Sequence, residues 1–414
     1  MSSITTHSEA PAGTSQPYDV AIVGGGLVGC SLAVALRRQG RRVVLIEAQP
    51  PRPGSASWDE RCIALNAGSR EILESLDLWA ALSPACEPIL STHISERGRF
   101  GAARFSAEQA GLPALGYNTP MRAINDLLWQ SATQAQVDIL RPASVTGLQL
   151  LANSVLLTLE TESASSSLHA QLVVAADGAR SAVRSLLKLG ADEREYGQHA
   201  VVTAVRPQFP HAGVAYERFL SSGPLALLPK PDDEQGHACS LVWTLPSDQL
   251  ETFLKLSDDA FVDKAMDAFG ERLGKLSSPG RRMSYPLTRV MSDALTAPRT
   301  VFIGNAAQSL HPVAAQGFNL GLRDAATLAA LIGPVPDPGD AHVLEAYRDK
   351  RLSDRKQVSE FTDRLVRLFS NAVPGLRGLR HLGLMLLEFD SPVRQNILSQ
   401  NLGMKGSRPL LQNS

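Results

Sequence analysis

The chain has 414 residues, of which 44% are hydrophobic, 40 are basic and 41 are acidic. This length exceeds that of one ordinary domain, and the near-zero net charge gives no electrostatic reason to expect a nucleic-acid partner. The scattered cysteines predict neither a metal site nor a disulfide framework, and they fit a reducing compartment such as the cytoplasm.

The first 16 residues are polar and rich in Ser, Thr and Pro. They lack the basic start and apolar middle of a signal peptide, so the sequence predicts a disordered tail over residues 1–16. No run of eighteen apolar residues occurs, and any membrane contact is therefore expected to be peripheral, at the inner membrane.

The first motif follows directly after this tail. Tyr18–Val23 is typical of a buried strand, and it leads into three glycines in a G-x-G-x-x-G pattern, Gly24, Gly26 and Gly29. A helix and a second strand follow, and that strand ends at Glu47. In a dinucleotide-binding βαβ unit, glycines at these positions permit a tight turn and close approach to a pyrophosphate, and the acid binds a ribose hydroxyl. The acid at Glu47 favours an unphosphorylated ribose, as in FAD or NAD.

Three further motifs are weak when each is taken alone. LVVAADGARSAVR ends a strand at Asp177 and could be a simple strand–turn–helix with a serine cap. DERCIAL carries Arg61, which could be a surface arginine in a charged turn. GNAAQSLHPVAAQGFNLGLRDA, starting at Gly304, places many small residues between a strand and a helix, which indicates a shell around a non-protein group.

Together and in this order, the four motifs resemble those of the single-component FAD-dependent aromatic hydroxylases, the p-hydroxybenzoate hydroxylase-like group. The resemblance covers nearly all of the chain after Pro17. AYERFLSSGPLALLP and CSLVWTLP are similar to segments of the ubiquinone-biosynthesis branch of that group. Within this branch the resemblance is greatest to the 2-octaprenyl-6-methoxyphenol hydroxylases.

The resemblance implies an α/β fold: a Rossmann-like FAD-binding domain, an inserted and mostly antiparallel β substrate domain, and a C-terminal helical segment. The FAD-binding domain is expected at residues 17–89, 113–186 and 286–340. The substrate domain is expected at 90–112 and 187–285, and the helical region at 341–414.

The resemblance also implies which residues bind FAD: Gly24, Gly26, Gly29, Glu47, Arg61, Arg122, Asp177, Gly304, Asn305, Gln316, Gly317 and Asn319. Arg122 could equally be a solvated helix arginine. Two residues depart from the usual pattern, because Asn305 replaces an acid that holds the ribityl chain and Ala315 replaces a glycine. His311 and Pro312 would shape the loop beside the flavin ring, and a structural role is the better interpretation of His311. No general base is identified.

The implied reaction is a monooxygenation in which NAD(P)H, a transient reductant, reduces FAD, and O2 then forms a C4a-hydroperoxide that hydroxylates a polyprenyl phenol. The choice between NADH and NADPH, and the use of a separate reductase, stay open. Alternatives are a hydroxylase for another ring position, a salicylate-type hydroxylase, a reductase like geranylgeranyl reductase, or a non-catalytic FAD-binding subunit of a complex.

The C-terminal region contains two apolar stripes. Phe361, Leu365, Leu368 and Phe369 form the first, and Leu376, Leu379, Leu382 and Leu386 form the second, beside basic residues. These stripes could pack on the flavin domain, on a second subunit in a homo-oligomer, or on a membrane surface. Association with other ubiquinone-biosynthesis proteins is a further expectation from the resemblance.

Overall fold

The structure is a computed structural model that describes residues 17–50, 61–98, 101–162, 164–277, 279–310, 316–370 and 402–403, with side chains described up to residue 360 of the last helix. Its strands, in chain order, are β1 (Tyr18–Val23), β2 (Val43–Ile46), β3 (Cys62–Asn66), β4 (Glu87–Ile89), β5 (Ser91–Glu96), β6 (Ala102–Ser106), β7 (Gly116–Pro120), β8 (Asp138–Leu140), β9 (Ser144–Leu150), β10 (Val155–Glu160), β11 (Ser165–Ala175), β12 (Ala191–Pro207), β13 (Val214–Leu220), β14 (Gly223–Asp233), β15 (Gly236–Pro246), β16 (Leu276–Ser277), β17 (Met283–Ser292), β18 (Thr296–Ala297), β19 (Thr300–Phe302) and β20 (Gln308–Ser309).

The α-helices of the described residues are α1 (Leu27–Arg38), α2 (Ala67–Ser75), α3 (Trp79–Leu82), α4 (Met121–Gln134), α5 (Ala182–Leu186), α6 (Leu250–Leu254), α7 (Asp258–Phe269), α8 (Gln316–Ile332) and α9 (Ala341–Ser370). Short 3-10 turns occur at Ser83–Ala85, Ser247–Gln249 and Gly304–Ala306.

The first sheet has a parallel centre with the strand order β19-β11-β1-β2-β8. Its central strands are nearly continuous apolar runs, because helices cover both faces of such a sheet. In β1, five of the six residues are buried. Since parallel strands end at one edge, the carboxyl ends of β1, β11 and β19 lie side by side, and the loops after them meet there.

The second sheet is mostly antiparallel and has the order β20-β17-β12-β15-β14-β13-β5-β6. Helices α6 and α7 cover one of its faces, where Trp243 packs on the rings of Phe253 and Phe261. A small third sheet, β3-β7-β4, lies against the other face. In that contact Ala64 and Ala67 pack in one cluster with Ala215 and Phe219 of β13.

The predicted fold class is confirmed, since a Rossmann-like sheet, an antiparallel sheet and a long C-terminal helix are all present. The domain boundaries stay a prediction, and β17 runs across the boundary expected at 285/286. Residues 1–16 and the second apolar stripe lie outside the described residues, as do the side chains of the first stripe. Within the described ranges, no helix is both long and apolar enough to span a membrane.

Candidate active site

Two different steric demands shape the glycine-rich turn between β1 and α1. Gly24 has a φ of +108°, and a Cβ atom there would lie 2.4 Å from the carbonyl oxygen of Ala176. A Cβ atom on Gly29 would lie 2.0 Å from the carbonyl oxygen of Gly24. A Cβ atom on Gly26, in contrast, would meet no atom of the described residues within 4 Å. Packing therefore requires Gly24 and Gly29, whereas Gly26 borders open space at the N-terminus of α1, where the prediction places a pyrophosphate.

Gly25 is a site residue that the G-x-G-x-x-G pattern does not single out. A Cβ atom on it would lie 2.4 Å from Cζ2 of Trp129. Its amide donates a hydrogen bond of 2.6 Å to Oε2 of Glu47, and the amide of Gln49 donates one of 2.7 Å to Oε1. These bonds fix the Glu47 carboxylate beside the turn. A carboxylate can accept about four hydrogen bonds, so both oxygens retain capacity for a ribose hydroxyl.

Asp177 lies immediately beside this turn, since β11 and β1 are parallel neighbours. A Cβ atom on Gly24 would lie 2.8 Å from Cα of Asp177. One carboxylate oxygen, Oδ2, accepts a hydrogen bond of 3.2 Å from the amide of Val183. The other, Oδ1, is buried and accepts none from the described part of the chain. Because buried polar atoms are nearly always paired, this oxygen fits a site for a hydroxyl-bearing ligand.

The loop after β19 reaches the same place from the other side of α1. Gly304 has a φ of +56°, and its Cβ atom would lie 3.1 Å from Cγ2 of Val28, the second residue of α1. Helix α8 approaches closely as well, since a Cβ atom on Gly321 would lie 3.0 Å from Cα of Gly304. Asn305 is exposed at the tip of this turn. The structure thus brings the first, second and fourth motifs together.

A buried carboxylate on α8, which the sequence reasoning missed, holds this loop. Oδ2 of Asp324 accepts hydrogen bonds from the amide of Gly304 at 3.1 Å and from Nε2 of Gln308 at 2.6 Å. Its Oδ1 accepts one of 2.6 Å from Nε of Arg351 on α9. Burial lowers the pKa of Arg351, but Asp324 and Asp354 raise it by more, so its net pKa is above the usual value. The RDA triplet at the end of the fourth motif is the signal that could have identified Asp324.

The first residues of α8 divide between open and buried positions. Oε1 of Gln316 is buried and accepts no hydrogen bond from the described residues, and a Cβ atom on Gly317 would meet none of their atoms within 4 Å. Asn319 is 1% exposed, and its Oδ1 accepts hydrogen bonds from the amide of Asn66 at 3.0 Å and Oγ of Ser69 at 2.6 Å. Asn319 therefore joins α8 to α2, whatever contact it makes with a cofactor. His311, Pro312 and Ala315 lie outside the described residues.

The two predicted arginines lie near each other but in different surroundings. The carbonyl oxygen of Arg61 accepts a hydrogen bond of 2.9 Å from the amide of Met121, and its guanidinium lies 5.1 Å from the centre of the Tyr285 ring. Arg122, one residue further along, is exposed and lies 3.5 Å from Asp126 in the next helical turn. Arg61 is thus held between the small sheet and β17, while Arg122 has the surroundings of a solvated helix arginine.

These features fit FAD. In the part of the chain that the structure describes, no atom lies within 4 Å of a Cβ atom built on Gly26 or Gly317, which leaves room for close backbone approach to a ligand. Two buried oxygens, on Asp177 and Gln316, require hydrogen-bond donors that the described residues do not supply. The N-terminus of α1 has no side-chain cap, so its free amides can bind an anion. The individual contacts between these residues and FAD stay predictions.

Comparison with known proteins agrees with this fit. Residues 17–362 match the family described as FAD binding domain. The chain is 35% identical over 391 residues to the ubiquinone hydroxylase UbiL of Rhodospirillum rubrum, covering 93% of this chain and 89% of that protein. It is 30% identical over 399 residues to the 3-demethoxyubiquinol 3-hydroxylase of Escherichia coli, covering 94% of this chain and 100% of that protein.

A solved structure has the same fold. It is the p-nitrophenol 4-monooxygenase PnpA from Pseudomonas putida DLL-E4, with a TM-score of 0.77, 19% identity, and coverage of 94% of this chain and 98% of that one. The predicted resemblance and the prediction of FAD as cofactor, with NAD(P)H and O2 as the reductant and oxidant of this class, are thereby confirmed. The chain belongs to the FAD binding domain family and is an FAD-dependent monooxygenase related over nearly its whole length to the ubiquinone hydroxylases.

Proposed function

We propose that this protein hydroxylates a polyprenyl phenol in ubiquinone biosynthesis, converting 2-polyprenyl-6-methoxyphenol to 2-polyprenyl-6-methoxy-1,4-benzoquinol. The observation that carries the proposal is the similarity to ubiquinone hydroxylases, which extends over more than nine tenths of the chain. A match of this extent includes the antiparallel sheet as well as the nucleotide-binding turn. The choice of this substrate rests on the Gly304–Gln308 motif, GNAAQ, and its resemblance to the hydroxylases of that phenol.

In this proposal the chain's own residues bind and orient the cofactor. Gly26 and the amides at the start of α1 would hold the pyrophosphate, Glu47 the ribose, and Asp177 and Asn305 hydroxyl groups of the ribityl chain. Asn305 can donate as well as accept a hydrogen bond, although without charge its bond is weaker than that of an acid. When bound, FAD supplies hydride acceptance from NAD(P)H and activation of O2.

The antiparallel sheet would supply the substrate surface. The row of cross-strand neighbours Ala226, Val242, Val202 and Met283 runs across four strands on the face opposite α6 and α7. Three of these four apolar residues keep partial exposure, although the face lies towards the small sheet. Partly exposed apolar side chains suit an isoprenoid chain, because burying such a chain is favourable by about 0.8 kcal/mol per CH₂ group.

A second candidate function is hydroxylation at another ring position of the same pathway. The similarity to the E. coli 3-demethoxyubiquinol 3-hydroxylase, which covers that whole protein, favours it. The two functions differ in which phenol or quinol the protein consumes, so the identity of the accumulating intermediate separates them.

The decisive experiment identifies by mass spectrometry which quinone precursors accumulate in cells that lack this protein. The proposal predicts loss of ubiquinone and accumulation of 2-polyprenyl-6-methoxyphenol. Accumulation of demethoxyubiquinone would instead support the second candidate, and a normal ubiquinone pool would contradict both. Purified holoprotein supplied with NAD(P)H and labelled O2 should place one labelled oxygen atom in the product, which a flavin reductase would not do.

A further inference from the structure

Glu217 is the single carboxylate in an otherwise apolar row across the antiparallel sheet. On β13 it pairs with Ile94 of β5 on one side and with Ala226 of β14 on the other. The row continues through Val242, Val202 and Met283. Cross-strand neighbours have their side chains on the same face of a sheet, so Glu217 shares the face of the proposed substrate surface.

The neighbours of Glu217 along β13 show which way this face points. Ala215 and Phe219, two residues away on either side, pack in one cluster with Ala64 of β3 and Ala67 of α2. Tyr216 lies on the opposite face, where its ring meets that of Phe269 on α7. Since side chains alternate along a strand, Glu217 points away from α7 and towards β3 and α2.

The layer formed by β3 and α2 is connected directly to the start of α8. The side-chain amide of Asn319 donates a hydrogen bond of 2.9 Å to the carbonyl oxygen of Ala64. Gln316 and Gly317, both predicted to contact the flavin, lie in the same helical turn as Asn319. The carboxyl group of Glu217 therefore faces the layer that connects the antiparallel sheet to the start of α8.

Glu217 has no hydrogen-bond or ion-pair partner among the described residues, yet it keeps partial exposure. An ionised carboxylate in apolar surroundings is costly unless it is paired, and such residues persist mainly where function requires them. Burial raises the pKa of Glu217 to about 7. Glu96 on β5 and Lys230 on β14 are the charged groups on this face of the neighbouring strands, and no neighbouring charge contributes to the shift. Ala64 on β3 and Ala67 on α2, which pack in one cluster with Ala215 and Phe219, are uncharged.

We propose that Glu217 is the catalytic base, whose carboxylate accepts the proton of the substrate's phenolic hydroxyl during hydroxylation. This assignment rests on the proposed function. The O–H bond of the phenol breaks, the proton forms a bond to a carboxylate oxygen of Glu217, and the electron pair left on the phenol oxygen enriches the ring carbon that takes up oxygen. That carbon forms a bond to one oxygen atom derived from O2 as the O–O bond breaks, and its hydrogen leaves as a proton that the second oxygen atom takes up before departing as water. The phenol oxygen recovers its proton from Glu217, and the carboxylate is regenerated. O2 is the oxidant and NAD(P)H the reductant.

A base with a pKa near neutral pH suits this step, since it is ionised under working conditions and still binds a proton readily. The sequence did not reveal this base, because the segment AYERFLSSG marks Glu217 only as one polar residue in a strand. Its position in an otherwise apolar row follows from the pairing of six strands, of which β5 and β17 are distant from β13 in the chain.

The test compares holoprotein carrying Glu217→Gln with wild type and with a control, Glu87→Gln. Glu87 is also a part-buried strand glutamate whose pKa is raised by burial, but it lies beside His211 and Asp232. With 2-polyprenyl-6-methoxyphenol as substrate, E217Q should retain FAD and oxidise NAD(P)H while product formation falls about 100-fold or more. In wild type and E87Q, kcat/KM should rise with pH around neutrality, and E217Q should lose this rise.

An infrared measurement on the holoprotein provides a readout independent of turnover. A protonated carboxyl band should titrate near neutral pH in wild type, shift when the phenol binds, and be absent in E217Q. The assignment would be overturned if E217Q kept the wild-type product yield and pH profile, or if phenol binding did not shift the carboxyl band. Wild type that hydroxylates no polyprenyl phenol would instead refute the proposed function, whereas a band shift with another phenol would still support Glu217 as its partner.

Discussion

At the scale of single residues, the glycines of the first turn separate ligand binding from folding. We predict that Gly26→Ala weakens FAD binding at least about tenfold, equivalent to 1.4 kcal/mol, because the new methyl group occupies the space beside the turn. Folding should change by less than about 1 kcal/mol, since Gly26 has an ordinary extended conformation and no described residue has an atom near the added Cβ. FAD titration and denaturant unfolding of the apoprotein measure the two effects.

Gly29→Ala is the matched control, in the same turn and with the same added group. Its methyl group would lie 2.0 Å from a backbone oxygen, so it should destabilise the apoprotein by about 3 kcal/mol. If Gly26→Ala bound FAD as tightly as wild type, the pyrophosphate would have to lie elsewhere.

At the scale of elements, the conformation of the loop after β19 depends on contacts with α8 and α9. We predict that Asp324→Asn lowers the stability of the holoprotein by about 3 kcal/mol, because it removes one of the two carboxylates that pair with the 3%-exposed Arg351 and leaves only Asp354 among the described residues. FAD should also dissociate faster, since the Gly304 turn loses its anchor. Denaturant unfolding and the rate of flavin release measure these changes.

The control is Asp349→Asn on α9, the helix that carries Arg351, where among the described residues the exposed Asp349 pairs with its neighbour Arg348. Its effect on stability should be close to zero. Equal stability of the two variants would show that the Asp324–Arg351 pair does not hold the loop.

The elements that the sequence predicted are those whose signals are local. β1 begins and ends at the predicted residues, and Glu47 follows β2 directly, because an apolar run and three glycines define a βαβ unit within about 30 residues. The pairing of β12 with β17, which are far apart in the chain, has no comparable local signal. Asp324, Gly25 and Glu217 were missed for the same reason, since each depends on partners from distant segments.

At the scale of the whole molecule, α9 connects both large sheets. The hydroxyl of Tyr347 donates a hydrogen bond of 3.2 Å to the carbonyl oxygen of Phe302 at the end of β19. The guanidinium of Arg355 donates one of 2.6 Å to the carbonyl oxygen of Ser292 at the end of β17. Helix α9 thus holds the ends of β17 and β19, and the loop with Gly304 follows β19, so the stability of the antiparallel sheet and the geometry of the flavin site are linked.

Because the sheets are linked, we expect the protonation of Glu217 to affect the free energy of unfolding of the whole protein. Because its pKa is raised to about 7 in the folded protein, the native state binds more protons than the unfolded state between about pH 4.3 and pH 7. The contribution of Glu217 to stability therefore falls as pH rises through this window. Glu217→Gln removes that loss, and we predict that its holoprotein exceeds wild type by on the order of 2 kcal/mol at pH 8.

The test is the difference in unfolding free energy between Glu217→Gln and wild type, measured at each pH. Burial, and then the charge of Arg272, lower the pKa of His93 to about 4, so its contribution to stability rises with pH over much of the same window and masks the effect in wild type alone. The difference in unfolding free energy should be near zero below pH 4, grow to pH 7 and stay constant above. A difference independent of pH would mean that Glu217 is solvated and has the same pKa in the folded and unfolded protein, which would remove the physical basis for its role as a base.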